Sequence, residues 1–500
     1  MSLARSALLA ALLVLPALAQ DKPARQADVA GMRDAQIGAI VVGAHAPGPA
    51  IAAVVESLGR LLPEREVGEM RGAFAEAPDE IGFDLLSRED WLAHGLDPDG
   101  DYSLRFAEPG GWIRLPQETL MTLAVHDAGK LDAWFVAQFA KQARAGAPIR
   151  HVNPTYATFG ATGWSLFGAR CLVLARSGLE PEVFDARMAE RVASFGSGEM
   201  IGTTKVYRAV RNRLSAPAIA SCYLRPADWL EPDAEKRPPG ALVELLAAID
   251  SDGIVGAAEI APELLAELTA RSTVDVVALA SRLPAPDALV VANVADPMRA
   301  LRRFAAAELA FGGTSIRFDE LAPRAPRDGE LLAAGAAAWL PARDGTDNVE
   351  MLVFLRAIDE PTAKAVLARL TDGMTVTAVG ENLQAYSHEN GADVTFIARR
   401  GELVLLGNSP EKVFAALEGK EERTTGLTGD APIEGWLELE AVAGRFHPAL
   451  KDSGLLKGRL LLRGEVDGAH AIVTLRHTGA GIHEPFPAEL VALLTFLRIG

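Results

Sequence analysis

Cysteine is scarce in this chain: Cys171 and Cys222 are the only two in 500 residues. No Cys-x-x-Cys spacing exists, which excludes thioredoxin-like redox chemistry and structural zinc of that kind. Each cysteine sits in an apolar run, Arg170-Cys171-Leu172-Val173-Leu174 and Ala220-Ser221-Cys222-Tyr223-Leu224. Two readings stand side by side, a single Cys171 to Cys222 disulfide in an oxidising compartment or two separate buried thiols acting as small hydrophobes. Gly-x-Ser-x-Gly, HExxH and Walker-type sequences are all missing, and Gly196-Ser197-Gly198 with Gly202 misses the dinucleotide fingerprint by one position. Basic residues are in deficit, 49 Lys and Arg against 66 Asp and Glu for a formal net charge of -17. Nucleic acid and anionic membrane are therefore poor partners.

What is present begins at the N-terminus. Arg5 leads into the apolar run Ala7 to Leu15, then Pro16, then Ala17-Leu18-Ala19 with small residues where a signal peptidase reads. The apolar stretch falls short of the roughly 20 residues a bilayer crossing needs, and Gln20-Asp21-Lys22 ends it. Residues 1–19 are expected to be a cleaved signal peptide. No cysteine follows to carry a lipid, so a soluble periplasmic or secreted protein without a transmembrane segment is expected. Residues 20–35 are polar and read as a flexible lead-in. The remainder, with 49% hydrophobic and 23% charged residues overall, can bury a large core, and its length suggests two to four domains.

A word order recurs along the chain. Leu120 to Val125 reads as a strand ending at Asp127 and followed by a helix to Gln142. Met351 to Ile358 reads as a strand ending at Asp359 and followed by a helix to Leu370. Farther on, Tyr156 falls on Tyr386, Arg170 on Arg400, and Val183-Phe184 on Val413-Phe414, at a common offset. The predicted fold class is therefore α+β, two divergent copies of a strand-helix-hairpin module with mainly antiparallel sheets and helices on one face. The first copy is expected over residues 36–280 and the second over 281–500. The apolar helix Ala488 to Leu497 is expected to pack on the second.

Ile81-Gly82-Phe83-Asp84, a short helix with Trp91, and Gly95-Leu96-Asp97-Pro98-Asp99-Gly100 opening a strand form a phrase that resembles one found in large uncharacterised exported bacterial proteins, of the domain-of-unknown-function type. The resemblance implies an extracytoplasmic protein of repeated α+β units. It carries over no catalytic residue.

Asp97, Asp99 and Asp101 stand at positions one, three and five of a calcium loop, with Glu108 at twelve. Position six is Tyr102 where glycine is needed, Pro98 stiffens the entry, and Ser103 to Phe106 reads as strand, so a plain turn is the expectation and calcium the alternative. His470, His477, His483 and Glu484 form the densest set of metal-ligand types, but His470 and His477 lie an odd number apart on a strand and face opposite ways. His126-Asp127 fails as a dyad for the same reason. Ser87 with Asp90 resembles a capping box, and Ser409 reads as a helix cap. No catalytic, cofactor-binding or metal residue is assigned. The expected role is non-enzymatic, binding a protein or hydrophobic ligand between the two modules or serving as an envelope scaffold. The alternative is an extracytoplasmic hydrolase built from dispersed Asp and Glu residues.

Overall fold

Short apolar runs bounded by Gly, Pro and Asp give antiparallel strands here, and local polar caps give the helices between them. The computed structural model describes residues 29–61, 82–107, 118–142, 149–225, 242–303, 324–340, 349–378, 383–387, 394–419, 425–446, 457–479 and 486–491, with positions 64, 65, 67, 68 and 72. The leader, most of the lead-in, Glu108, His483 and Glu484 lie outside them. The chain divides into two compact units, the first from residues 1–236, 243–259 and 484–495, the second from 237–242, 260–483 and 496–500.

In the first unit the strands are β1 (Ile40–His45), β2 (Asp101–Ala107), β3 (Glu118–Ala124), β4 (Arg150–Asn153), β5 (Tyr156–Phe159), β6 (Thr162–Phe167), β7 (Arg170–Arg176), β8 (Ala220–Leu224), β9 (Leu242–Asp250) and β10 (Gly253–Ile260). Their pairings run β10-β9-β8-β1-β2-β3-β7-β6-β5-β4. β1 lies between β2 and β8, with Ile40 opposite both Phe106 and Leu224. β7 is apolar on both faces, Cys171, Leu172, Val173 and Leu174 all being buried, as a doubly covered strand must be. Helix Pro181–Ser194 lays Phe184 and Met188 on Leu172 and Leu174. Residues 29–34, within the expected lead-in, form a turn with Val29, Ala30 and Met32 buried, and Ser221 Oγ donates to Ala30 O at 2.8 Å.

The second unit has β11 (Ala288–Ala292), β12 (Leu331–Trp339), β13 (Glu350–Ala357), β14 (Thr375–Ala378), β15 (Leu383–Ser387), β16 (Val394–Arg400), β17 (Leu403–Gly407), β18 (Ile433–Glu438), β19 (Arg459–Asp467) and β20 (His470–Thr478). Their order is β20-β19-β18-β11-β12-β13-β17-β16-β15-β14, again antiparallel. Strand for strand this is the sequence of pairings found in the first unit.

Helices cover both faces of the second sheet, which corrects the expectation of one. On one face Leu352, Phe354 and Leu405 pack with Val276 and Ala280 of helix Val276–Ala280 and Val413 and Leu417 of helix Pro410–Glu418. On the other, Leu355, Ala357 and Val404 pack with Ala363 and Val366 of helix Glu360–Leu370. Strands apolar at consecutive positions, such as Leu403 to Leu406, demand cover on both sides.

The two units are not the contiguous spans 36–280 and 281–500. Helices Pro262–Thr269 and Val276–Ala280 belong to the second, the former against β19 and the latter on β11 and β12. Residues 488–491, the described part of the helix expected at Ala488 to Leu497 on the second module, belong with Phe486 to the first: Phe486 and Ala488 are buried, and the Phe486 N–H donates to Ser251 O at 3.2 Å. Among the described residues no helix is long and apolar enough to cross a membrane.

Candidate functional site

The aspartates of the 97–101 loop do not converge. Asp97 Oδ1 accepts the Asp99 N–H at 3.1 Å, and its carbonyl accepts the Gly100 N–H at 3.1 Å and the Tyr102 hydroxyl at 2.7 Å, an Asx-type turn that opens β2. Asp99 receives both guanidinium arms of Arg88. Asp101 takes His45 Nδ1 at 2.6 Å, with Arg170 Nη2 at 3.8 Å. Burial first, then the charge of Asp97, pushes the Tyr102 phenol well above its usual range. No group of three or more metal-ligating side chains forms among the described residues. His470 Nδ1 lies 3.3 Å from Asp467 O, and His477 Nε2 lies 2.8 Å from Lys457 O.

The two cysteines are free. β7 and β8 are separated in the sheet by β3, β2 and β1, so at ~4.8 Å per strand Cys171 and Cys222 lie far beyond the ~7 Å that a bridge allows. Both thiols are pushed up chiefly by burial, which leaves them inert. The cap readings divide. Ser87 Oγ accepts the Asp90 N–H at 3.2 Å, but the Asp90 carboxylate turns to the Asp84 N–H instead of closing a box. Ser409 stands at the N-cap without a side-chain cap bond.

Two buried carboxylates were not singled out in the sequence. Glu118, at the start of β3, is fully buried and meets Arg176 Nη1 at 3.1 Å, Arg187 Nε at 3.0 Å and Arg191 Nη2 at 2.6 Å. Burial alone would make the carboxyl harder to ionise, but hydrogen bonding from Arg187 and the charges of Arg191 and Arg187 outweigh it and hold the carboxyl below the usual range. A group so held is a poor base and a poor nucleophile. Glu434, in β18, accepts the N–H groups of Thr428, Gly429 and Ala431 at 2.8, 3.0 and 3.2 Å and so fixes the preceding loop. Both act as internal ties. Their partners lie up to 73 residues away for Glu118, so no local word announces that cluster.

The second unit holds a different kind of place. A pocket of about 260 Å³ is lined by Phe354, Leu403 and Leu405, and the last turn of helix Pro410–Glu418, with Glu418, forms one wall. Arg282, Arg356 and Arg400 line it as well. Arg400 Nη1 donates to Leu417 O at 3.2 Å, and Arg356 pairs with Glu402. The Arg356 Nε is buried with no hydrogen-bond partner among the described residues. Gly419, at φ 60, closes the nine-residue helix at the edge of the pocket, a conformation glycine adopts without penalty.

At the matching place in the first unit there is cover instead. Gly168 and Gly401, at φ 56 and 58, mark the two hairpin turns. The residue before each is Phe167 in one and Arg400 in the other. Phe167 meets Phe195 edge to face at 5.1 Å, and Phe195 ends a helix of fourteen residues.

No protein-family model matches the chain, and a comparison with curated proteins gives no match. Among solved structures, crystal forms III, IV and I of TP0453 align with 50%, 48% and 50% of this chain and with 91%, 83% and 90% of theirs. Identities are 9%, 10% and 9%, and TM-scores 0.24, 0.24 and 0.25. At that similarity neither fold nor role transfers.

Proposed function

We propose that the chain is two divergent copies of one α+β unit, exported from the cytoplasm, and that it works by binding rather than by turnover. The carrying observation is the pocket of the second unit, lined by apolar side chains, three arginines and a single acid, Glu418, not by converging acids. That composition suits retention of a ligand. The strongest carboxylate clusters, at Glu118 and Glu434, are consumed by arginines and backbone N–H groups. Export rests on Met1 to Ala19, and the duplication on the shared strand order.

The reading is tested by screening the purified protein against glycan, ester and peptide libraries, alongside ligand-induced shifts of its unfolding midpoint. Midpoint shifts without product formation are expected. Reproducible hydrolysis, abolished by replacing acidic residues, would overturn it. The alternative, an extracytoplasmic hydrolase, draws support from the His45 and Asp101 contact at 2.6 Å, and any activity found is to be rechecked in H45A and D101N. The leader is tested by N-terminal sequencing of exported material, which should begin at Gln20.

A further inference from the structure

A row of small side chains crosses the sheet of the first unit. Thr122, Ser103, Gly43, Ser221 and Ala248 stand opposite one another on β3, β2, β1, β8 and β9, and residues directly opposite share a face. None is larger than threonine, so the row forms a trough. We infer that this trough is a binding groove for an extended peptide, and that residues 29–37 fill it in cis as a reversible latch. The partner it fits has small residues at its centre and an apolar anchor on either side, the pattern of Val29-Ala30-Gly31-Met32. The groove goes beyond the binding reading above: it shares no residue with the pocket of the second unit, and its failure would leave that reading untouched.

The fit is to main chain. A methyl group on Gly43 would fall 2.0 Å from Ala30 O, and the buried Ser221 Oγ donates to that same oxygen at 2.8 Å. Val29, Ala30 and Met32 are buried, while Arg33 and Asp34 are exposed. Farther along, the Gly202 N–H donates to Arg33 O at 3.2 Å, the Ile201 N–H to Ala35 O at 2.9 Å and the Ile37 N–H to Glu199 O at 3.1 Å. A methyl group on Gly202 would lie 2.5 Å from Arg33 O. Gln36 donates to Ser194 O at 2.7 Å and accepts from Arg105 at 3.0 Å. Extended peptides are recognised in this manner, main-chain bonds giving affinity and buried side chains giving selectivity.

The sheet does not depend on this segment. Among the described residues it adds one isolated bridge, Gln36 opposite Met200, and no strand, so it peels from the N-terminal end of β1 without parting a ladder. Segments of that kind open at lower free energy than core strands. Its departure bares Ser221 Oγ and the main chain of Gly43, which a like peptide covers again. The second unit fills the corresponding place differently. Asn293 precedes Pro297 by four residues, as Gly43 precedes Pro47, and its side chain donates through Nδ2 to Gly429 O at 2.5 Å.

The test is calorimetric titration of the full chain with a synthetic peptide of residues 29–37 and a scrambled control. A30D sets a charge where the latch is buried and so expels it, leaving the groove unaltered. The peptide is expected to bind A30D at one site. Wild type should bind it more weakly by about tenfold or more, because the tethered copy competes, and A30D/G43A should lose binding because a methyl group blocks the trough. Absence of binding to folded A30D, equal binding of the scrambled peptide, equal binding by wild type, or undiminished binding by A30D/G43A overturns the inference. Continued protection of the buried Cys171 thiol certifies the fold of A30D. Should A30D not fold, hydrogen exchange of the wild type decides. Exchange of the Met32, Ala35 and Ile37 amides faster than those of β1 and β8 by about tenfold or more supports the latch, and equal exchange overturns it.

Discussion

The first unit closes the space beside β7 and, among the described residues, the second leaves the space beside β17 open, although both sheets are paired in the same order. In the first, a helix of fourteen residues ends on Phe195 over Phe167, and its Arg187 and Arg191 reach back to Glu118 on β3. In the second, the helix has nine residues. Glu350, which precedes Asp359 by the interval that separates Glu118 from Asp127, is partly exposed and meets only Lys412 at 3.6 Å among the described residues. Lys412 sits 5.0 Å above the Trp339 ring. The ladder thus sets the framework, while the length of one helix decides whether the ground beneath it becomes core or cavity.

The largest effect that sharpens this contrast is expected at the two glutamates. E118Q leaves three arginines without their buried counter-charge and should cost about 3–5 kcal/mol, whereas E350Q, at a solvent-screened pair, should cost ~1 kcal/mol or less. Denaturant unfolding of the two variants decides it, and equal costs would break the comparison. The same carboxylate gives a pH dependence. Folded Glu118 binds its proton less readily than the unfolded residue, so its stabilisation is complete above the unfolded value of ~4.3 and fades as pH falls through the lower folded value. E118Q should flatten that acid limb.

Next come two phenylalanines in matching words. Phe184 is 4% exposed and Phe414 49%, so F184A should cost about 3–5 kcal/mol and F414A within ~0.5 kcal/mol of nothing, again by denaturant unfolding. The helix caps should behave alike in the two units. Asp127 Oδ1 accepts the Gly129 and Lys130 N–H groups at 3.0 and 3.1 Å, and Asp359 Oδ1 accepts the Thr362 N–H at 2.8 Å. D127A and D359A should each cost ~1 kcal/mol, and a large disparity would show that the capped helices differ in role. Smallest of all is the effect of a reductant: with free thiols, thermal unfolding should be the same with and without dithiothreitol, and thiol titration after unfolding should find both cysteines.

The caps were legible because a cap is written within four residues. Asp127 and Asp359 both hold the helix starts that their sequence promised. β12 was not: Leu-Leu-Ala-Ala-Gly-Ala-Ala-Ala-Trp has the composition of a helix and is a strand because it lies between β11 and β13. The word match between Val183-Phe184 and Val413-Phe414 misled, since Val183 is exposed and Phe184 buried while Val413 is buried and Phe414 exposed. Measured from Pro181 and Pro410, which open the two helices, Phe184 corresponds to Val413. In the hairpins, likewise, Arg170 corresponds to Leu403 rather than Arg400, because each follows its left-handed glycine by two residues. The pocket was invisible because its walls come from four separate stretches of chain, each apolar enough to read as ordinary core.

The placement of β1 between β2 and β8 has a consequence for the order in which the molecule can assemble. Val41 lies opposite Arg105 on one side and Tyr223 on the other, so β1, once synthesised, waits for a partner more than a hundred residues later. Contacts of such long sequence separation form slowly, because the intervening chain must be gathered before they reward it. During that wait β1 has an unpaired edge, and a nascent chain with an open apolar strand is prone to pair with its neighbours. Refolding of the isolated chain should therefore be slow and lose yield steeply with protein concentration, and holding the chain unfolded until β8 has been made becomes a requirement of its biogenesis.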